Sequence, residues 1–84
     1  MKKLLPFLAL FALAPVQAQA PQLGVAPATK TTCPASHPVK GNINSKGERI
    51  YHTPQSRSYK QTHPERCYKS AEEAQKAGFR APKR

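Results

Sequence analysis

The chain contains no aspartate and no tryptophan, and its only acids are four glutamates set against 14 lysines and arginines. Without aspartate no Ser–His–Asp set can be assembled. The adjacent pair Glu72 and Glu73 reads as the start of a helix, and Glu48 lies beside a turn, so no pair of carboxylates is left for general acid–base work. Only two cysteines occur, Cys33 and Cys67, and their spacing rules out a C-x-x-C dithiol. A chain of 84 residues also offers little core in which to sink a cleft. No enzymatic activity is expected.

Long apolar runs are equally scarce, and the single one stands at the beginning. Lys2 and Lys3 precede an uncharged stretch, Leu4 to Val16, which is followed by Val16-Gln17-Ala18 with small residues at the positions a signal peptidase reads. The run is shorter than the ~20 residues that span a hydrocarbon core and is broken by Pro6 and Pro15. Residues 1–18 are therefore expected to be a cleaved signal peptide, and the product to be exported to the periplasm, cell envelope or medium. Lys2 and Lys3 leave with it, so residues 19–84 keep 12 of the 14 basic residues and all four glutamates. No membrane span is expected after processing, and the domain is expected to be monomeric.

In an oxidising compartment a Cys33–Cys67 disulfide is the economical reading of two cysteines. Residues 19–36, rich in Pro, Ala, Thr and Gln, are expected to form an unstructured leader. Val39 to His52 reads as a β-hairpin turning at Asn44-Ser45-Lys46-Gly47, where Gly47 is free to take positive φ. Cys67-Tyr68-Lys69 suggests a third short strand. Ser70-Ala71-Glu72-Glu73 is a capping box, Ala71, Ala74 and Ala77 share one helical side, and Gly78 ends the helix ahead of Phe79. The expected fold is α+β: a two- or three-stranded antiparallel sheet with one C-terminal helix, stapled by the disulfide. Its core would draw on Val39, Ile43, Ile50, Tyr51, Tyr59, Tyr68, Ala74 and Phe79.

Several of these signals in one order resemble a known family. Val39-Lys40-Gly41-Asn42-Ile43, Gly47-Glu48-Arg49-Ile50-Tyr51-His52-Thr53-Pro54, Tyr59, Glu65-Arg66, Ser70-Ala71-Glu72-Glu73-Ala74 and Ala77-Gly78-Phe79-Arg80 look like the bacterial sunset domain, over about residues 39–82. Such domains occur as small secreted proteins and as tails on thermonuclease-like nucleases. They also look like a shortened relative of the metal-binding module of Ada-type DNA repair proteins. The resemblance implies a compact accessory or binding domain, with a secreted nuclease as one partner. Both cysteines stand a few residues earlier than in the family's pattern, a joint shift that suits a disulfide better than a rigid metal site.

The leading functional expectation comes from charge. Lys40, Lys46, Arg49, Arg57, Lys60, Arg66, Lys69 and Arg80 are spread through the domain and would hold a polyanion, either nucleic acid or an anionic envelope polymer. Lys40, Arg49 and Lys69 would line one sheet face. Solubility alone would also account for the charge excess. Tyr51, Tyr59 and Tyr68 lie between the cations and are read first as core, second as stacking surfaces. The alternative is a small zinc module using Cys33, His52, His63 and Cys67, although no pair has the close spacing typical of such sites. No cofactor is expected in the leading reading.

Overall fold

A computed structural model describes residues 22–83. The expected signal peptide lies outside the described residues. Among those described, no helix is long and apolar enough to cross a membrane.

Among the described residues three strands and one helix follow in chain order: β1 (Val39–Ile43), β2 (Arg49–His52), β3 (Arg66–Tyr68) and α1 (Ala71–Lys76). The sheet is antiparallel throughout, in the order β2-β1-β3. The fold is the expected α+β arrangement with a Cys33–Cys67 disulfide, whose Cα atoms lie 5.7 Å apart. The β1–β2 turn is built as the residue types require. Asn44 Oδ1 accepts from the backbone N–H groups of Lys46 and Glu48, and Gly47 takes φ +81°.

The helix boundaries also follow from local chemistry. Ser70 Oγ accepts from Glu73 N–H at 3.1 Å, while the Glu73 carboxylate reaches back to Lys69 N–H at 2.8 Å. At the other end Phe79 N–H bonds Ala74 O and Gly78 N–H bonds Gln75 O, which is a Schellman closure. That closure folds Phe79 back onto the sheet, where its ring meets Tyr68 at a centroid distance of 5.4 Å.

Register divides the sheet into two faces. Gly41 opposes Tyr51 on one side and Arg66 on the other, so Val39, Gly41, Ile43, Arg49, Tyr51, Arg66 and Tyr68 share the face toward α1. The buried cluster on that face is Val39, Tyr68, Ala74 and Phe79. Gly41 admits the two rings: a Cβ there would lie 2.7 Å from Tyr68 and 3.0 Å from Phe79. Lys40, Asn42, His52 and Cys67 belong to the opposite face. Ile50, Tyr51 and Tyr59 are half-buried, and Ile43, expected in the core, is exposed. Six helical residues do not reach far enough to cover the end of β1.

The leader requires a correction. Within residues 22–36, the described part of the stretch expected to be unstructured, Leu23 to Val25 run against the sheet and Cys33 is bonded to Cys67. Val25 and Cys67 exchange two backbone hydrogen bonds, each of 2.9 Å, along the outer edge of β3. Arg66 anchors the same segment, donating from Nε to Leu23 O (3.1 Å) and from Nη2 to Gly24 O (2.8 Å). Composition read these residues as open chain because the bonds that dock Leu23, Gly24 and Val25 reach Arg66 and Cys67, far along the sequence.

Candidate functional site

The predicted cations separate into three groups. Lys40 is the exception to all expectation: it is 3% exposed. Its ammonium lies 4.3 Å from the centroid of the Tyr59 ring and donates to Tyr59 O (2.7 Å) and Thr62 O (3.0 Å). The loop 53–65 thus folds over the face of the sheet opposite α1 and uses Lys40 as its anchor. Tyr59 O–H in turn donates to Pro38 O. Burial lowers the Lys40 pKa and raises that of Tyr59. Lys40 is a structural cation and cannot share a surface with Arg49, which the register puts on the other face. The expected line of Lys40, Arg49 and Lys69 along one face does not form.

Lys46, Arg57, Lys60 and Lys69 make up the second group, and all are exposed. Lys46 sits in the hairpin turn, Arg57 and Lys60 in the loop over Lys40, and Lys69 just before the helix cap. The third group borders a groove on the α1 side. An opening of about 450 Å³ is lined by Leu23, Ile43, Tyr68, Ala77 and Phe79 together with Gln22, Arg49, Glu65, Arg66 and Lys76. Arg49 lies over the Phe79 ring, 5.2 Å from its centroid, with Nη1 3.4 Å from Ala77 O. Arg80 pairs with Glu48 at 3.5 Å, and both partners are substantially exposed.

Three of the four glutamates are committed, and Glu72 is exposed. Glu65 Oε1 accepts from Ile43 N–H at 2.7 Å, Glu73 serves the helix cap, and Glu48 accepts from Asn44 as well as pairing with Arg80. Arg80–Glu48 is the single ion pair among the described residues. The remaining basic side chains meet carbonyls, rings or solvent.

Of the four residues weighed as zinc ligands, Cys33 and Cys67 are bonded to each other, and Cys67 is fully buried. His52 Nδ1 lies 3.1 Å from Ser56 Oγ. Burial, and secondarily the Lys40 charge, holds the His52 pKa below its ordinary value. His63 is exposed and bonded only through its carbonyl, which accepts from Asn42 Nδ2. No three His, Cys or Glu side chains come together among the described residues.

Sequence reasoning missed Ile43 as a surface residue, and with it Lys76, Glu65 and Gln22 around the groove. Lys76 stands in the last turn of α1 and lines the groove together with Gln22 and Leu23.

A family model described as ArfC matches residues 17–81. The chain belongs to the ArfC family. The matched span takes in residues 22–36 as well as the sheet and helix. No curated protein and no solved structure matches significantly. The resemblance to the sunset domain is overturned by this membership. The signals that carried it were a turn, short strands and a capped helix, which any hairpin followed by a helix would present. A nuclease partner had no ground besides that resemblance.

Proposed function

We propose that this ArfC-family chain is an exported, non-catalytic binding domain that holds polyanions, either nucleic acid or an anionic envelope polymer, through its exposed cations. The single observation that carries this reading is the shortage of carboxylate partners. Glu65 and Glu73 accept from backbone N–H groups, Glu48 pairs with Arg80 and the exposed Glu72 enters no ion pair among the described residues, so Lys46, Arg57, Lys60 and Lys69 present unneutralised charge to solvent. A charge excess of this kind attracts polyanions by releasing their counterions. Export rests on Lys2, Lys3, the apolar run Leu4–Val16 and the small residues up to Ala18. Lys40 has no part in binding.

The test is titration of the oxidised chain with a single-stranded oligonucleotide and with a sulfated polysaccharide across a range of salt. Binding should weaken linearly on a log–log plot, and replacing Lys46, Arg57 and Lys60 together by Gln should reduce the slope for the oligonucleotide by about two. A salt-insensitive affinity, or a slope unchanged in the triple variant, would refute the reading. Preference for one probe identifies the polymer class.

A further inference from the structure

The groove beside α1 differs in kind from the scattered surface cations. Its floor is apolar, and it contains Ile43, 38% exposed and the one large apolar side chain left uncovered among the described residues. Arg49 and Arg66 flank Ile43 from the two neighbouring strands, and Lys76 faces them from the end of α1. Both arginines are held in place: Arg49 by the Phe79 ring, Arg66 by the Leu23 and Gly24 carbonyls. Those two bonds use two of the five N–H donors of Arg66 and leave the others for a ligand. Three cations stand against one carboxylate, Glu65, whose position is set by its bond from Ile43 N–H.

This lining discriminates among anionic occupants. Half of the lining residues are polar and the groove is open, so a bare acyl chain would gain little shelter from water and would strip water from charged groups. The Tyr68 and Phe79 rings are 3% and 6% exposed, so neither offers a free face on which a base could stack. A peptide suits all the parts. One apolar side chain covers Ile43, neighbouring carboxylates meet Arg49, Arg66 and Lys76, and a backbone N–H finds Glu65. We propose that the groove docks an acidic peptide segment of a partner protein that carries an aliphatic or aromatic anchor. The site is separate from the polyanion surface, and either reading can fail without the other.

The experiment uses the oxidised chain and a labelled peptide alternating glutamate with leucine, with binding read by anisotropy and amide chemical shifts. Expected are shifts centred on Ile43, Arg49 and Ala77, and a loss of about tenfold when serine replaces the leucines. Ile43→Ser should weaken the peptide by a similar factor, and Lys76→Glu, exposed and outside the floor, should weaken it while leaving the amide spectrum of the fold intact. The Lys46, Arg57 and Lys60 triple Gln variant should bind the peptide nearly as well as the parent. Equal binding of the serine peptide, indifference to Ile43→Ser and Lys76→Glu, or displacement of the peptide by laurate at the same amides would overturn the proposal.

Discussion

At Lys40 the chain removes an ammonium from water and gives it carbonyl oxygens and a ring instead. Hydrogen bonds from a charged donor contribute roughly 1.5–3 kcal/mol, and the contact with Tyr59 adds to them. Lys40→Met keeps the stem and loses the head, so urea denaturation should show a loss of about 1–3 kcal/mol. The same cation bears on His52. The folded state favours neutral His52, so the unfolded chain binds that proton more readily and stability falls as pH drops below the ordinary imidazole value of 6.5. The fall ends once the folded state is protonated as well. Urea midpoints taken from about pH 7 down to about pH 5 should decline in the parent chain and decline less in His52→Gln. An equal decline in both would remove His52 from the account. Nothing in the sequence around position 40 announces this role, because its partners, the carbonyls of Tyr59 and Thr62, lie some 20 residues away.

Elements were legible where their causes are local. Asn44 and Gly47 wrote the hairpin turn, and Ser70, Glu73 and Gly78 wrote both ends of α1. The third strand was legible too, shifted by one residue to Arg66–Tyr68. What could not be read was adjacency. β3 pairs with β1 and not with β2, and the leader joins β3, because those choices depend on how Tyr68, Phe79 and the disulfide pack together. For the same reason the exposed cations of the candidate surface were legible by type, while the groove was not. Gly24 tests the docked leader most directly. It takes φ +80°, and a Cβ there would lie 2.6 Å from the Tyr68 ring and 2.8 Å from Cys67 O. Gly24→Ala should cost about 1–3 kcal/mol in thermal unfolding and speed amide exchange at Val25 and Cys67. Unaltered exchange at those amides would mean that the segment is not held as described.

For the whole molecule the decisive quantity is the disulfide. The buried apolar cluster amounts to four side chains, with Leu23, Tyr51 and Ala77 packed at its margin. So small a core leaves little reserve. The cross-link spans 34 residues and, by restricting the unfolded chain, contributes about 3–4 kcal/mol. Cys33→Ser with Cys67→Ser should lower the unfolding free energy by about that amount, measured in urea at neutral pH. A change below about 1 kcal/mol would show that packing alone sustains the fold.

Both margins of the three-stranded sheet are covered by single residues. Val25 closes the outer side of β3, and Arg80, bonded to Arg49 O and Tyr51 N–H, closes that of β2. Each outer strand is therefore bridged by a further backbone segment, a device by which sheet proteins limit fibrous self-association. The two guards are not equally secure. Val25 is tethered through Cys33 and Arg66, whereas the Arg80 side chain relies on one exposed ion pair. Release of Arg80 from its bridge would uncover β2 and turn its outer edge into a template for stacking.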